Sequence, residues 1–321
     1  MNRVLDISSD GLHLAVHRGF LTVSDSGAEI GRIALDDLGA VIVHAHGTTW
    51  SNHVFVQMAE RNVPVVLCAP NHAPVSVVWP LAGHHAQGGR MQAQAAASKP
   101  LKKQLWQQVV TAKVRMQGHV LACNGQEAGA FSLLARKVRS GDPDNIEAQA
   151  ARRYWQALMG PDFRRDQNAE GANAMLNYGY TVLRAIVSRS ICASGLHPGL
   201  GIFHANRGNA FPLSDDLMEP YRPLVDQLVL NLIRQGITEV DRTAKQRLAA
   251  LAGFDLQTPE GTSPLSVQVQ RLTHSLAVSF ETGQPVLALP ALPHPGELQT
   301  LGWPQEAEPE RESGREDMEE A

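Results

Sequence analysis

The spacing of hydrophobic and polar residues changes once along the chain and divides it into two parts. In the first part, short stretches such as RVLDIS and AVIVHA alternate or carry β-branched residues, with Ser-Asp-Gly and Ser-Gly turn signals between them. This pattern predicts β-strands. Residues 51–61 differ, because their apolar residues share one face after an initial serine, which predicts a helix. Residues 1–81 are therefore expected to form a small β-rich domain.

Helical spacing begins at residue 101 and continues to residue 284. One face of the first helix carries apolar residues at i, i+4, i+7 and i+11, namely Leu105, Val109, Ala112 and Met116. Further helices are expected over residues 125–139, 146–160, 168–194, 214–236, 238–252 and 263–280. Glycine and alanine share the apolar face of the 168–194 segment, which permits close helix packing. Residues 101–284 are expected to form an all-α domain.

Two stretches fit neither pattern. Residues 82–100 are rich in Gly, Ala and Gln and end at a proline, which is typical of a linker that can be helical in part. Residues 285–321 begin as a proline-rich arm and end in an acidic tail. Because the tail has few apolar residues to offset the entropy lost on ordering, it is expected to be disordered.

The composition and motifs of the chain argue against several classes of protein. The three cysteines are widely spaced and form no CxxC pair, which argues against a zinc site or a disulfide framework and favours a reducing cytoplasm. No run of about 18 apolar residues could span a membrane, and the N-terminal sequence is unlike a signal peptide. A GxxxxGK[ST] loop is absent, so ATP is not an expected ligand. The expectation is a cytoplasmic protein without a membrane partner.

The net charge of −4 conceals an uneven distribution. Residues 305–321 carry eight acidic residues and two arginines, and the remaining chain has a net charge of +2. Between residues 99 and 222, sixteen Lys and Arg residues stand against ten Asp and Glu residues. A basic field of this size suits a polyanion such as nucleic acid. Solvated helix faces are the simpler explanation of the charge taken alone.

Candidate chemistry concentrates between residues 195 and 226, in GLHPGLGIFHANRGNAFPLSDDLMEPYRPLVD. The glycines and prolines there allow tight backbone paths and helix starts. Carboxylates and an imidazole near one another can hold a divalent cation, and oxygen-rich sets suit Mg²⁺ or Mn²⁺ better than zinc. The candidates are His197, His204, Asp215, Asp216, Glu219 and Asp226.

Each of these residues also has a simpler explanation. His204 can be a structural histidine, and the acids at 215–216 can lie in the first turn of a helix that Ser214 caps. Glu219 can pair with Arg222, three residues further along the same helical face. The cluster as a whole is harder to explain in this way, because a solvated helix end does not need histidines and loop glycines beside it.

Glu147 is a further candidate outside this segment. It follows Asp144 by three residues, as in a capping box, and a role at the start of its own helix therefore stands beside a role in binding. Arg152 and Arg153 follow it in the same predicted helix. A metal site in the 195–226 region needs a third ligand from a distant segment, and Glu147 can supply one.

Five segments resemble the CRISPR-associated adaptation integrases, the first of the two universal spacer-acquisition proteins. They are LWQQVVTAK (105–113), IEAQAARRYW (146–155), LNYGYTVLRAIV (176–187), GLHPGLGIFHANRGNAF (195–211) and DDLMEPYRPLVD (215–226). NVPVVLC and PLAGHH in the N-terminal part also fit. The resemblance spans about residues 1–285 and is nearest to the type II branch, most like subtype II-C.

The resemblance implies an α+β fold with a β-sandwich-like N-terminal domain and an α-helical catalytic domain. It also implies that a glutamate, a histidine and an acid bind the catalytic Mg²⁺ or Mn²⁺, and these fall on Glu147, His204 and Glu219. Many relatives carry aspartate at the last position, where glutamate has the same chemistry and a longer reach. Phe203 departs from the more frequent His-His-x-Asn form without affecting a ligand.

The same resemblance implies partners. The substrate is double-stranded DNA, both the spacer precursor and the CRISPR repeat. Homodimers flank a central dimer of the second adaptation protein in a heterohexamer, and the type II effector nuclease is a further expected partner. The basic residues expected to contact DNA are Lys102, Lys103, Lys113, Arg115, Arg152, Arg153, Arg207 and Arg222.

Three hypotheses for the function follow. The leading one is a metal-dependent DNA integrase, in which a 3′-hydroxyl attacks a repeat phosphodiester and inserts a short spacer. The second is a hydrolytic metal-dependent endonuclease, which needs the same site with water as the nucleophile. The third is a non-catalytic DNA-binding scaffold whose acids only cap helices. Metal dependence separates the third from the others, whereas the residues alone do not separate the first two.

Overall fold

Strands build the N-terminal part of the protein and helices build most of the rest, as the two periodicities predict. The computed structural model describes residues 3–69, 74–78, 80, 84–204, 206, 208–258 and 261–303. The strands are β1 Arg3–Ile7, β2 Leu12–His17, β3 Phe20–Asp25, β4 Ala28–Ala34, β5 Leu38–Val43, β6 Thr49–Trp50, β7 Val65–Cys68, β8 Pro74–Val78, β9 Asp255–Thr258 and β10 Gly261–Pro264. The helices are α1 Asn52–Glu60, α2 Gln87–Ala96, α3 Lys99–Cys123, α4 Gly129–Lys137, α5 Ile146–Met159, α6 Ala172–Ala193, α7 Pro212–Met218, α8 Arg222–Arg234, α9 Arg242–Ala249, α10 Leu265–Thr282 and α11 Pro295–Thr300. The tail predicted over 305–321 lies outside the described residues.

Two four-stranded sheets form the N-terminal region. One has the order β1-β5-β7-β8, in which only β8 runs antiparallel to its neighbour, and the other has the order β4-β3-β2-β6. Apolar side chains from both sheets and from α1 share one core, which includes Leu14, Leu21, Val41 and Met58. This arrangement confirms the predicted β-rich region with a single helix near residue 51.

Strand β5 joins the two regions of the protein. All six of its residues are buried, so both faces of the strand are covered. Val41 and Val43 lie in the core between the sheets, whereas Ala40 and Ile42 belong to the core of the helical region, where α6 packs on the strand. Successive residues of a strand point to opposite faces. A strand covered on both faces therefore carries a continuous apolar run, as AVIV does here.

Helices α3 and α6 are the long helices of the C-terminal region. Helix α6 packs against α7, α8, α9 and α10, and sixteen of its residues are buried, so that little of it faces solvent. Helix α3 packs against α4, α5 and α8 and contributes the fully buried Trp106. These two helices provide the frame on which the candidate site is built.

Helices α6 and α8 approach each other closely at Gly179. A Cβ atom at this position would lie 2.5 Å from Val225 Cγ1 and 3.1 Å from Leu248 Cδ2. Gly179→Ala should therefore lower the free energy of unfolding by about 1–3 kcal/mol, the usual cost of overpacking a core. Urea denaturation measures this effect. Gly129→Ala is the control, because a Cβ atom at that exposed residue meets nothing within 4 Å, and equal losses in the two variants would contradict the prediction.

The single helix predicted over residues 214–236 is wrong, because the chain breaks within it. Helix α7 ends at Met218, residues 219–221 form a 3₁₀ turn, and α8 begins at Arg222. Pro220 and Pro223 lack the backbone N–H groups that a continuous helix would need at those positions, which explains the interruption. The turn places Glu219 between two helices rather than along one.

The stretch predicted as a linker contains a docked helix. Helix α2 packs against α10, and the side chain of Gln94 is fully buried. Its Nε2 donates to the carbonyl oxygens of His197 (2.9 Å) and Leu200 (2.8 Å), and its Oε1 accepts from the backbone N–H of His197 at 2.9 Å. Residues 84–98 therefore connect the two regions and also hold the start of the loop that leads to His204.

The proline-rich arm ends in α11 instead of remaining irregular throughout. Asn231 in α8 donates its Nδ2 to the carbonyl oxygens of Leu298 and Leu301, both at 2.9 Å, and both leucines are buried. Between α9 and α10, β9 and β10 form an antiparallel hairpin that the helical spacing did not predict. None of the helices in the described ranges is long and apolar enough to cross a membrane.

Candidate functional site

Two acidic side chains from separate elements meet at one lysine. Lys113 lies in the middle of α3, and its side chain is only 11% exposed. Its Nζ forms an ion pair with Glu147 Oε1 from α5 at 2.6 Å and a second one with Glu219 Oε2 from the 3₁₀ turn. Burial by itself lowers the pKa of Lys113, but the two glutamates outweigh it and raise the pKa, so the ammonium stays charged. Glu147 and Glu219 follow Lys113 by 34 and 106 residues in the sequence, and the fold brings all three together. A site for a divalent ion needs acids that meet in this way.

The start of α5 fixes the position of Glu147. Asn145 caps the helix, and the carboxylate of Asp142 accepts the N–H groups of Ile146 (2.9 Å) and Glu147 (3.0 Å). Asp144 pairs with Arg139 instead. The capping-box explanation of Glu147 is therefore wrong: its backbone N–H donates to Asp142 rather than Asp144, Asn145 caps the helix, and its own carboxylate reaches across to α3.

Glu219 is almost completely buried and binds two cations. Its Oε1 lies 2.8 Å from Arg222 Nε, and its Oε2 contacts Lys113. Burial alone would raise the pKa of Glu219, but Arg222 and Lys113 more than offset it and hold the pKa below its ordinary value. The pairing with Arg222 that the spacing predicts is thus present, and it is only half of the surroundings of this carboxylate. Arg222 in turn lies over the ring of Tyr180, 4.6 Å from its centroid.

A tight loop presents His204. A Cβ atom at Gly201 would lie 2.6 Å from the carbonyl oxygen of His204 and 2.9 Å from Asp216 Oδ2, so only glycine fits there. Asp216 is fully buried, and its Oδ2 accepts the N–H groups of Ile202 (2.6 Å) and Phe203 (3.0 Å). Its Oδ1 accepts the N–H of His204 at 3.1 Å and lies 2.6 Å from the imidazole Nδ1. One carboxylate thus shapes the loop and orients the ring.

The contact with Asp216 also sets the chemistry of the imidazole. Nδ1–H donates to the carboxylate, which leaves Nε2 of the neutral ring available as a ligand. The hydrogen bond with Asp216 raises the pKa of His204, burial opposes the rise, and the charges of Asp216, Glu219 and Glu147 add to it.

An aromatic wall borders His204. The rings of Trp106 and Phe203 stack in parallel, with 4.3 Å between centroids, and Trp106 meets the imidazole edge-on at 5.5 Å. Phe203 remains half exposed, at 48%. The residue that departs from the more frequent family pattern is therefore part of the packing that holds the catalytic candidate.

The side chains of Glu147, Glu219 and His204 are suitable ligands for a divalent cation, but the ammonium of Lys113 lies between the two carboxylates. Glu147 and Glu219 supply carboxylate oxygens and His204 supplies a nitrogen, which are ligands that Mg²⁺ and Mn²⁺ accept. Within the described ranges, no three His, Cys, Asp or Glu side chains are close enough together to hold an ion. The ammonium of Lys113 lies between the two carboxylates instead. The convergence of Glu147, His204 and Glu219 on one ion therefore stays a prediction.

The residues expected to contact DNA differ in how much surface they offer. Lys113 is buried, Lys102 is half-buried, and Arg222 is partly buried against Glu219 and Tyr180. Arg207 lies outside the described residues. The exposed members of the set are Lys103, Arg115, Arg152 and Arg153.

Sequence reasoning missed the roles of two residues near this site. Asp216 was interpreted as a first-turn acid capped by Ser214, but α7 begins at Pro212, and Ser214 is buried with its hydroxyl 2.8 Å from that of Ser188. Asp226 in α8 accepts the hydroxyl of Tyr180, and burial raises its pKa to about 7. No local signal in the sequence shows which of these acids turns inward.

Comparison with protein families shows to which family the chain belongs. A family model described as CRISPR associated protein Cas1 matches residues 5–251 of the chain. The chain belongs to the Cas1 family. A curated relative, the CRISPR-associated endonuclease Cas1 of Neisseria meningitidis serogroup C (strain 8013), is 38% identical over 236 residues, which cover 73% of this chain and 77% of the relative. The Cas1 family comprises CRISPR-associated endonucleases and integrases.

Solved structures share the fold of this Cas1 family member. A casposase bound to integration product superposes with a TM-score of 0.76 at 20% identity, and the match covers 89% of this chain and 92% of the casposase. A chain of a Cas6-RT-Cas1–Cas2 complex gives a TM-score of 0.71 at 18% identity, covering 88% of this chain and 35% of the other. At these identities the likeness shows the fold, and it confirms a β-rich N-terminal region followed by a helical one.

Proposed function

We propose that the protein is a divalent-metal-dependent DNA integrase that inserts short spacers into a CRISPR array. The meeting of Glu147 and Glu219 at Lys113 is the observation that supports this most directly, together with the orientation of His204 by Asp216. The three side chains come from α5, the 3₁₀ turn and the glycine-rich loop, and the same three positions match the ligand set of the family. Membership in the Cas1 family makes nucleic-acid cleavage or joining the reaction class to test.

The ligands of the ion would be the two carboxylates and Nε2 of the imidazole, and the ion would be Mg²⁺ or Mn²⁺. A bound ion would polarise the phosphate, neutralise developing charge and make the attacking hydroxyl more acidic. Asp216 keeps His204 in the tautomer with a free Nε2. Arg222 holds Glu219 in place, and Asp142 fixes the helix start that carries Glu147, so the ligands are preorganised by the protein.

Strand transfer exchanges one phosphodiester for another. The 3′-oxygen of the spacer loses its proton and forms a bond to the repeat phosphorus, while the bond to the leaving 3′-oxygen breaks and that oxygen gains a proton. Because the number of phosphodiester bonds is unchanged, the reaction needs no nucleoside triphosphate, in keeping with a chain that lacks a phosphate-binding GxxxxGK[ST] loop.

Hydrolysis is the second candidate function. The same donor set would activate water as readily as a sugar hydroxyl, and the Neisseria relative carries the name endonuclease. A scaffold without catalysis is less consistent with the geometry, since Glu147 and Glu219 do not cap the helices from which they project.

The partners belong to the same proposal. Exposed Lys103, Arg115, Arg152 and Arg153 offer contacts to the DNA backbone, and the casposase neighbour was solved with an integration product. The structural likeness to a chain from a complex that contains Cas2 supports the second adaptation protein as a partner. The homodimer, the type II effector nuclease and assignment to subtype II-C rest on the sequence resemblance.

A joining assay with two donor duplexes tests the proposed function. The protein is mixed with its small partner, Mn²⁺ or Mg²⁺, a short duplex and a plasmid that bears a repeat. The duplex ends either in 3′-hydroxyl or in 3′-dideoxy nucleotides. An integrase should join only the hydroxyl duplex to the plasmid, because the dideoxy end has no attacking oxygen. Omission of the metal should abolish joining.

The two other hypotheses give different results in the same assay. Equal plasmid cutting with both duplexes and no joined product would identify a hydrolytic nuclease. No reaction with either duplex, together with metal-independent DNA binding that weakens steeply with salt, would identify a scaffold.

A further inference from the structure

The charge around the candidate site is nearly balanced by the protein itself. We propose that Lys113 is a resident counter-ion that competes with the divalent ion for Glu147 and Glu219, so that the ion binds strongly only when a DNA phosphate is also present. This inference rests on the proposed metal site. It adds a coupling between metal and DNA, and it assigns that coupling to one side chain.

Moving Lys113 away from the two carboxylates would cost free energy, because all three groups are largely buried. Its side chain is 11% exposed, and that of Glu219 is 5% exposed, so neither has much access to water. A buried carboxylate that loses its cation keeps an uncompensated charge, which is strongly destabilising. In the absence of metal, Lys113 therefore keeps the two acids at a fixed separation and prevents their mutual repulsion.

Counting the nearest charges shows what an ion would change. In the four ion pairs of the site, Glu147, Glu219 and Asp216 are negative and Lys113 and Arg222 are positive, which leaves a net charge of −1 with a neutral His204. A divalent ion would turn this into +1 in a site that is largely shielded from solvent. One DNA phosphodiester carries a charge of −1 and would bring the sum to zero. Metal and phosphate are therefore expected to favour each other's binding.

Charged groups just outside this set do not alter the difference that Lys113 makes. Asp226, whose pKa burial raises to about 7, is present in the wild type and in the Lys113 variants alike. Asp215 pairs with Arg184 at 2.7 Å and contributes no net charge. Without the lysine charge, the same five-residue set would carry −2, and a divalent ion alone would neutralise it. The balance thus depends on whether residue 113 is charged, which makes the proposal testable by a single substitution.

Lys113→Met is the decisive variant, since it replaces the apolar stem of the lysine with one of similar shape and removes the charged end. Titration calorimetry with Mn²⁺ is carried out on the full chain, alone and with a short duplex that has 3′-dideoxy ends and cannot react. In the wild type, the duplex should strengthen Mn²⁺ binding by about tenfold or more, within the usual range of coupling between sites. Lys113→Met should bind Mn²⁺ about tenfold more tightly than the wild type without DNA, and the duplex should then add little.

Two controls separate the charge from the shape of the side chain. Lys113→Arg keeps the charge and should retain the effect of the duplex on Mn²⁺ binding. Lys113→Gln is neutral and polar and should behave like Lys113→Met, which provides a second test if the methionine variant does not fold. Melting temperature gives an independent readout: the neutral variants should be less stable than the wild type without metal and should gain more from added Mn²⁺.

The outcomes distinguish this inference from the proposed function. If neutral variants that remain folded bind Mn²⁺ no more tightly than the wild type, or if the duplex strengthens binding equally in all variants, the counter-ion role is wrong. If Glu147→Gln and Glu219→Gln leave Mn²⁺ binding unchanged in the wild-type background, the metal site itself is wrong, and the inference fails with it.

Discussion

Replacing His204 with alanine is expected to lower strand transfer more than about 100-fold, beyond the range typical of residues that only support a ligand. The imidazole is oriented by Asp216, and Nε2 is the nitrogen proposed to bind the ion. DNA binding and thermal stability should change little, because the ring is partly exposed and the loop is held through backbone N–H groups. Initial rates of plasmid joining, filter binding and thermal melting measure the three quantities.

His197→Ala is the matched control for this prediction. His197 lies in the same loop and is exposed, and its Nδ1 accepts the N–H of Gly199 at 3.1 Å. Its substitution should leave strand transfer within a few fold of the wild type. Similar losses in both variants would mean that the loop, rather than the imidazole of His204, determines the rate.

Asp216→Asn is expected to impair both stability and metal binding. An NH₂ group in place of Oδ2 would face two backbone N–H donors, whereas in place of Oδ1 it would face one backbone N–H and would force the imidazole into the other tautomer. Because each buried donor left unsatisfied costs about 1–3 kcal/mol, the free energy of unfolding should fall by at least about 1–3 kcal/mol. Mn²⁺ affinity should fall about 10- to 100-fold, as for other residues that orient a metal-binding histidine.

Denaturant unfolding and Mn²⁺ titration measure these two effects. Asp215→Asn is the control, since the carboxylate of Asp215 precedes Asp216 in the chain but pairs with Arg184 and accepts from Asn209 instead. That variant should lose less stability and bind Mn²⁺ like the wild type. An Asp216→Asn protein with unchanged metal affinity would show that the orientation of His204 does not depend on this carboxylate.

The elements of the fold could be predicted because their periodicity is local. The change from alternating to helical spacing gave the two regions, and the segments of α3, α5 and α6 were assigned within a few residues. Helix α11 and the β9–β10 hairpin were not predicted, since short elements near prolines and glycines depend on the surfaces they pack against. Asn231 illustrates this dependence, because one α8 side chain holds the end of α11.

The candidate site could be predicted only in part. Lys113 follows Val109 by four residues and precedes Met116 by three, so a charged residue in an apolar stripe was a visible signal that it turns inward. Its partners were not visible, because Glu147 and Glu219 reach it only after three separate elements have packed. The inward turn of Asp216 was likewise hidden, since it depends on α7 beginning at Pro212 rather than at Ser214.

Strand β5 limits how the protein can be divided. Its Ala40 and Ile42 cover apolar surface on the helical region, including part of α6, the helix that also carries Arg184 and Tyr180. A fragment that began after the strands would expose this surface to water and would lose the burial that stabilises the helix. The helical region is therefore not an independent catalytic fragment, and truncation or domain exchange has to keep the strand together with the helices it covers.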